Sequence, residues 1–425
     1  MGARGKGAVA PKGGRGVSSA PEAPWDEGRF KEFSQEIDKL RQEIEASLGE
    51  EDVRYLKRLK KISRQMEALG RFLIFVSLDP VTWFVGVTAL WIHRQLETTE
   101  IGHYALHGCW DRFPELAEYH SKSFVWKTPV EEETWKRGHN GLHHQYTNIV
   151  GKDPDVNYGA LRTSKYTPWQ LHHAIQVVQF FVTAPFFTEV VGIYHTGLAD
   201  LLHKPNSPGH ADVLPDRKLK TIGKAVAKIF RKIAPFYGYQ FVLWPLLAGP
   251  FWWKVLSGNA LAHLMTNIYT AASIFAGHFG DDVEYFPPEF RAKSRGEYYK
   301  AQVRAAHNFT APLPLEILAG TLSAQIEHHL FPKFPPNRLR QLRNKVKEIC
   351  ARYGVGYAED TWWNTLKKTM AHLWKMSSPE RSPLQAIAQK SGLPLRQQTK
   401  LLVNFRSPKH RASSESRQPP HGATR

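Results

Sequence analysis

Seven of the 20 histidines in this 425-residue chain fall into three short clusters whose spacing suits metal binding. The clusters are His103-Tyr-Ala-Leu-His107, His139-Asn-Gly-Leu-His143-His144 and Gln325-Ile-Glu-His328-His329. Histidines four residues apart leave the same face of a helix, and a doubled histidine adds a ligand about 100° round it. So much imidazole, in a chain with only two cysteines, indicates oxygen-handling iron held between several helices.

A single pair of histidines four residues apart is weak support for a metal site, because such residues are often exposed or satisfied in a core. Three clusters with related spacing are stronger, since each flanks an apolar stretch where an unpaired imidazole would be costly to bury. A dinuclear centre needs about eight ligands or more. The candidates are His103, His107, His139, His143, His144, His328, His329 and, at the end of an apolar segment, His278.

Weaker candidates surround these eight histidines. Gln325 and His307 lie near the third cluster, and Asp153 follows the second. Ligating imidazoles need an acceptor on the other ring nitrogen. Carboxylates a few residues from a cluster could serve as that acceptor or simply face solvent, and they are Glu97, Glu100, Asp153, Asp155 and Glu327.

Charge and composition restrict the partners. Lys and Arg total 57 against 39 Asp and Glu, a formal net charge of +18, which suits an anionic membrane surface, an anionic substrate or an acidic protein. Nucleic acid is not expected, because no recognition motif is present and the aromatic residues lie in apolar runs. Cys109 and Cys350 are far apart, so a reducing compartment is predicted.

Four apolar segments, 72–92, 171–202, 235–256 and 260–279, each approach the roughly 20 residues needed to cross a bilayer. All clusters must meet on one membrane face. We therefore expect 171–202 to enter and leave by that face, and a hairpin over 235–279, turning at Ser257-Gly-Asn, to supply two crossings. The basic linker 216–232 places this face in the cytosol, and its stripe of Ile222, Val226, Ile229 and Ile233 suits an anionic leaflet.

The predicted fold is all-α: membrane-embedded helices carry a cytosolic helical cap that holds a histidine-rich di-iron site. Residues 1–28 and 377–425 are predicted to be disordered basic tails. Residues 29–70 are predicted as charged helices, interrupted near Gly49, and residues 71–376 as the membrane domain. A multi-pass protein with both termini in the cytosol is expected.

The three clusters resemble the histidine boxes of the membrane fatty acid desaturases. The matching segments are Glu100-Ile-Gly-His-Tyr-Ala-Leu-His-Gly, Gly138-His-Asn-Gly-Leu-His-His-Gln-Tyr-Thr-Asn and Gln325-Ile-Glu-His-His-Leu-Phe-Pro. Gln325, in place of the first histidine of the third box, is similar to the front-end desaturases and to a bacterial, mycobacterial-type group. The similarity covers roughly residues 30–373.

This resemblance implies two Fe²⁺ ions as cofactors, O₂ as co-substrate and a cis double bond introduced into a fatty acyl chain carried by CoA or by a lipid. The chain has no His-Pro-Gly-Gly motif of a fused haem domain, and no flavin or nicotinamide fingerprint. Electrons are therefore expected from a separate ferredoxin, cytochrome or flavoprotein reductase.

Two other functions compete with desaturation. The same histidine pattern supports related di-iron hydroxylases of fatty acyl chains or alkanes, ketolases among them, which gain oxygen where a desaturase removes two hydrogens. A membrane metal transporter is the alternative from a different class, and it predicts ligands at mid-bilayer within spanning helices. The histidine clusters instead lie beside the apolar segments.

Overall fold

The computed structural model describes residues 24–379, and these residues are mostly helical. The α-helices are α1 Glu27–Ser47, α2 Glu50–Val76, α3 Pro80–Leu96, α4 Tyr104–Leu106, α5 Glu132–Trp135, α6 His144–Tyr146, α7 Gln176–Thr183, α8 Phe187–His195, α9 Leu219–Tyr237, α10 Trp244–Leu247, α11 Trp252–His278, α12 Arg295–Arg304, α13 Leu313–Leu318, α14 Gln325–Leu330, α15 Pro336–Tyr353 and α16 Trp362–Met376. Three π-helices are Glu97–His103, Lys136–His143 and Gly238–Leu243. Short 3₁₀ turns are Pro114–Tyr119, Pro154–Val156, Leu171–Ile175, Ala184–Phe186, Leu198–Leu202, Gly249–Phe251 and Leu322–Ala324.

One pair of three-residue strands departs from the all-α prediction. β1 Asn308–Thr310 pairs in parallel with β2 Glu359–Thr361. The pair joins the segment before the third histidine cluster to the segment that leads into α16. This short pairing connects two helical segments. The fold is otherwise helical, as predicted.

Helices α2 and α3 form an antiparallel hairpin that positions the first histidine cluster. Asp79 begins α3 by accepting the backbone N–H groups of Val81 and Thr82, and Pro80 occupies the first helical position, where no N–H is needed. The interruption expected near Gly49 is confirmed, but α2 then continues to Val76. The predicted boundary at residue 70 therefore falls inside one helix.

Helix α15 ties the amino-terminal helices to the third cluster. Asp52 at the start of α2 is fully buried and accepts hydrogen bonds from Asn337 and Arg338 of α15. Helix α15 ends at Gly354, whose positive φ of 68° suits glycine after a helix.

The turn predicted at Ser257-Gly-Asn is wrong, because α11 runs straight through it. The chain turns instead at Gly249–Phe251, where Gly249 has a φ of 53°. Gly258 permits close packing on Ile74, and the Asn259 side chain donates to the carbonyl of Gln240. Both residues serve contacts between helices, which a short-range pattern cannot distinguish from a turn.

Among the described residues, one stretch, Leu171–His195, is long and apolar enough to cross a membrane. It is the segment for which no crossing was expected, and 3₁₀ turns divide it at Leu171–Ile175 and Ala184–Phe186. The helix α11 does not meet the same criterion. The number of crossings therefore stays a prediction, as do the tails, which lie almost entirely outside the described residues.

Candidate metal centre

Two π-helical segments present the first two histidine clusters. Glu97–His103 continues α3, and Lys136–His143 follows α5. In the second, the N–H of His144 bonds the carbonyl of His139, five residues back. π-Helical turns are rare and concentrate at functional sites. The sequence pattern predicted helices here but not this wider winding.

A four-histidine group gathers residues from all three clusters: His103, His107, His139 and His328. The Nε2 atom of His103 lies 3.2 Å from that of His107 and 3.4 Å from that of His139. Two imidazoles bound to one metal at about 2.1 Å have nitrogens roughly 3.0–3.4 Å apart at octahedral or tetrahedral angles. The spacing therefore fits a shared ion.

A three-histidine group lies beside it and comprises His143, His278 and His329. The Nε2 atom of His278 lies 3.1 Å from that of His143 and 3.2 Å from that of His329. Gln325 adds its amide, whose Nε2 lies 3.1 Å from the Nε2 atoms of both His278 and His329. The structure thus brings His278 and Gln325 to the same place as the second and third clusters.

Hydrogen bonds on the far side of these rings fix which nitrogen carries the proton. His143 donates from Nδ1 to Asp153, at 2.9 and 3.0 Å. His278 donates from Nδ1 to the carbonyl of Ile274 at 3.0 Å, and His329 to Oε1 of Gln302 at 3.2 Å. Each Nε2 is then an acceptor, so three lone pairs face one another in a buried space. A cation between them resolves that repulsion.

His144 lies between the two groups. Its ring centroid is 4.7 Å from those of His107 and His328 and 4.6 Å from that of His329. Both nitrogens of His144 and both of His328 are buried without a hydrogen-bond partner, as is Nδ1 of His103. Buried polar atoms are rarely left unpaired, so these orphan nitrogens also fit metal ligation.

The titration of the rings favours the metal-binding form. Burial, followed by the charges of His143 and His278, lowers the pKa of His103 to about 3. Burial also holds the pKa values of His107, His139, His144, His328 and His329 well below their usual range. Burial acts the same way on His143, but the Asp153 carboxylate outweighs it and raises the pKa. Neutral imidazoles are the form that binds iron.

Two of the five proposed carboxylate acceptors reach the histidines. Asp153 bonds His143, and Asp155 accepts from Nδ1 of His139 at 2.7 Å. The other three lie elsewhere. Glu97 accepts from Ser63, Glu100 from Tyr55, Thr321 and Arg340, and Glu327 from Asn308 and Tyr357. Glu100 and Glu327 are fully buried, and burial, although opposed by these partners, raises the pKa of each carboxyl.

His307 is not part of either group. Its Nε2 lies 3.4 Å from Asp282, and its backbone N–H donates to the carbonyl of Gly277. His263 contacts Asn267 and also bonds Glu189 at 2.7 Å. His307 is thus close in sequence to the third cluster but is not brought to the metal centre.

Gln302 and Thr147 escaped sequence reasoning, and His195 ranks below His307 as a ligand candidate from the sequence. Gln302 and Thr147 both approach Nδ1 of His329 at 3.2 Å, and the Nε2 atom of His195 lies 3.3 Å from Asp155. Nδ1 of His195 is buried and unpaired, and any side chain at Gly138 would overlap its ring. Only a pairing of distant segments reveals these contacts, so no local signal could have found them.

A cavity with a largely apolar wall adjoins both histidine groups. On α11 its lining residues are Thr270, Ile274 and His278, four residues apart, and Gln325 closes the same end. The helix rise places Thr270 roughly 12 Å from His278, so the lining extends well away from the imidazoles. The remaining lining residues are Thr98, Thr99, His103, Trp126, Val130, Trp135, His139, Asp155, Tyr158, Phe187, Thr188, Val191, His195 and Leu322.

Known proteins are similar to this chain in sequence. The sequence model of the fatty acid desaturase family matches residues 79–361. An NADPH-dependent stearoyl-CoA 9-desaturase of Mycobacterium tuberculosis is 32% identical over 355 residues, 83% of this chain and 81% of that protein. An sn-1 linoleoyl-lipid 6-desaturase of a Synechocystis species is 27% identical over 295 residues, 67% of this chain and 78% of that protein.

These matches agree with the three histidine boxes and decide between the competing functions at the level of the family. A metal transporter is not supported, because the matched proteins are oxidoreductases that act on acyl chains. The family match covers more than half of the chain and includes all seven histidines of the two groups as well as His144. The chain therefore belongs to the fatty acid desaturase family.

Proposed function

We propose that this chain is a two-iron, O₂-dependent desaturase of long-chain acyl thioesters that receives its electrons from a separate protein. The carrying observation is the convergence of the four-histidine and three-histidine groups beside one cavity. The acyl-CoA substrate class and the need for a reductase are inferred from the name of the mycobacterial relative. The cis geometry of the product follows from the family resemblance.

The overall reaction consumes one O₂, two electrons and two protons, removes two hydrogens from adjacent carbons and yields two waters. Iron, when bound, would supply the oxidising power by accepting those electrons and reducing O₂. The four-histidine group would hold one ion and the three-histidine group with Gln325 the other, and His144 lies within reach of both. Neutral histidine ligands leave the net charge of such a centre positive, which favours binding of reduced dioxygen.

The protein's own residues would orient the chain and exclude water. Val130, Val191 and Ile274 line the cavity and offer apolar contacts to methylene groups, whereas Trp126 and Trp135 narrow it beside His139. Burying apolar surface contributes about 25 cal/mol per Å², so such walls can hold an acyl chain without a charged contact. Asp155, which also lines the cavity, accepts from Nδ1 of His139 and holds that ring in one orientation.

The family is typically membrane-associated, and we place this enzyme in the membrane through the α2–α3 hairpin and the apolar ends of α10 and α11. Exposed apolar side chains support this: Leu78 at the tip of the hairpin is 99% exposed, and Leu246 and Trp253 are also exposed. The histidine groups and both termini are placed on the cytosolic side. Retention in the pellet after an alkaline carbonate wash is expected, and release into the supernatant would contradict the placement.

The test of function is product analysis with the purified full-length chain, iron, O₂, stearoyl-CoA and a reductase system supplied with NADPH. Mass spectrometry should show a product lacking two hydrogens, absent when the reductase is omitted and absent in His143→Ala. His172→Ala removes a histidine that lies outside both groups and should keep full activity. A product that gains an oxygen would identify a hydroxylase. Turnover with NADPH alone would contradict the separate donor.

A further inference from the structure

Helix α9 presents an apolar stripe to the outside of the molecule. Leu219 is 88% exposed and Phe230 70% exposed, and Val226 between them is also exposed. At 100° per residue these three positions fall within roughly 40° of one another on the helix. The sequence suggested a stripe of Ile222, Val226, Ile229 and Ile233. In the structure the three isoleucines are half-buried and only Val226 faces outward.

A basic stripe runs beside the apolar one. Lys220, Lys224 and Arg231 are exposed and lie roughly 100–140° further round the helix. None of the three has a carboxylate within 4 Å among the described residues, and α9 itself contains no Asp or Glu. The outward face of α9 thus combines unpaired positive charge with exposed apolar surface.

The inward lysines hold this helix in one orientation. Lys228 lies 3.4 Å from Glu131, and Lys232 bonds Glu132 and the carbonyl of Trp126. These contacts fasten α9 to the segment 126–132, which lines the cavity. The outward stripes are therefore a fixed feature of the surface and not one of several orientations of a loose helix.

Charge stops abruptly along the chain after these stripes. From residue 233 to residue 253 there is no charged residue, and Val242, Leu246 and Leu247 are exposed. Helix α2 shows the same order. Lys57, Lys61 and Arg64 are exposed without a carboxylate partner among the described residues, and from Leu69 to Val76 every exposed side chain is apolar.

The uncharged stretch 233–253 contacts the apolar end of α2. Arg71 of α2 donates to the side chain of Gln240, 3.3 Å away. Binding of an acidic protein would require only the exposed basic residues and would not explain the exposed apolar residues beside them. Exposed apolar residues beside exposed basic residues, as on α9 and α2, match the surface of a bilayer.

We propose that the outward face of α9, together with the basic face of α2, binds the phosphate headgroups of an anionic leaflet while Leu219, Val226 and Phe230 enter the adjacent acyl region. Lys57, Lys61, Arg64, Lys220, Lys224 and Arg231 supply the charge. Each basic residue near an anionic surface adds to the attraction, and salt screens it. The proposal concerns lipid binding and does not rest on the reaction proposed above.

The test uses the full-length chain with Phe230→Cys carrying an environment-sensitive fluorophore. Cys109 and Cys350 are fully buried, so the introduced thiol is the reactive one among the described residues. The labelled protein is reconstituted into phosphatidylcholine vesicles with and without about 30 mol% phosphatidylglycerol. Spin-labelled lipid should quench the fluorophore, at least roughly twofold more strongly with phosphatidylglycerol, and 1 M salt, where the Debye length is about 3 Å, should remove that gain.

Two triple variants separate a local site from net charge. Lys220→Gln, Lys224→Gln and Arg231→Gln together should abolish the gain from phosphatidylglycerol. Lys31→Gln, Lys39→Gln and Lys293→Gln remove the same charge from exposed cap positions and should keep it. Equal loss in both variants, or no loss in the first, would overturn the proposal. Quenching by aqueous iodide but not by lipid would do the same and would favour an acidic protein partner.

Discussion

The four-histidine and three-histidine groups differ in how the protein holds their rings. Every member of the three-histidine group has an acceptor behind Nδ1: Asp153, the Ile274 carbonyl or Gln302. In the four-histidine group Asp155 supports His139, whereas Nδ1 of His103 and both nitrogens of His328 have no partner. The three-histidine group is therefore preorganised by hydrogen bonds, whereas the four-histidine group would depend more on a bound metal for its final geometry.

Removing one ligand from either group should have the largest effect. His328→Ala and His329→Ala should each reduce product formation below detection, because dioxygen reduction requires both ions. Iron content should fall in both variants while the protein still inserts into the membrane. His172→Ala is the matched control and should behave as the wild type. Retained iron and activity in both ligand variants would refute the assignment of the two groups.

Gln325 should give a graded result, since its amide is a weaker ligand than imidazole. We expect Gln325→Ala to lower turnover strongly, by about 10–100-fold, the range seen when partners of a metal site are removed. Its loss of iron should be smaller than that of His329→Ala. Gln325→His should retain iron, with activity set by whether the ring fits against Gly277, which already packs on Gln325. Full activity in Gln325→Ala would show that Gln325 contributes to packing and not to metal binding.

The carboxylates behind the rings offer a direct comparison of the groups. Asp153→Asn and Asp155→Asn keep the side-chain shape but weaken the acceptor behind His143 or His139. We expect iron affinity to fall about tenfold or more in each, as for other outer partners of metal ligands. The loss should be confined to the ion of the affected group, which iron titration of the purified variants can resolve. Equal loss of both ions from either variant would contradict separate sites.

A smaller effect is expected at Asp52, which lies in the cap away from both groups. Burial alone would raise the pKa of Asp52, but hydrogen bonds from Arg338 and Asn337 outweigh it and lower the pKa. The carboxylate therefore stabilises the fold above the unfolded pKa of about 3.9, and this contribution is lost as the pH falls through the lower folded pKa.

Asp52→Asn should thus lower the free energy of unfolding by about 1–3 kcal/mol at pH 7. The difference from the wild type should shrink as the pH falls below about 4. Thermal unfolding monitored across this pH range measures both effects. Lys39→Gln, at an exposed position of α1, is a control that removes no ion pair. The iron content of the folded variant should stay that of the wild type. An equal difference at every pH would show that the ionised carboxylate is not responsible.

The histidine boxes could be predicted because histidines at helical spacing form a local pattern that suits metal binding. His278 was also predictable, as the end of an apolar segment on the face the clusters must share. The partition of His139 and His143 between the four-histidine and three-histidine groups was not, because it depends on which distant histidines pack beside each ring. Gln302 was also hidden, since it meets the third cluster only through tertiary packing.

The helices were easier to predict than their turns. Asp79-Pro80 begins α3 and Gly354 follows α15 through local chemistry that is visible in the sequence. Ser257-Gly-Asn resembles a turn equally well, yet Gly258 and Asn259 serve packing on Ile74 and a bond to Gln240. Carboxylates close to a cluster in sequence were similarly ambiguous. Glu100 and Glu327 point into buried networks of their own, whereas Asp153 and Asp155 reach the rings.

The central claim is that two separate imidazole groups each hold one iron, and counting iron tests it most directly. The full-length chain, purified in detergent and loaded with Fe²⁺, is analysed for iron per chain by plasma mass spectrometry alongside His328→Ala and His329→Ala. The account predicts two irons per chain in the wild type and a loss of iron in each variant. A single iron in the wild type, unchanged in either variant, would contradict it.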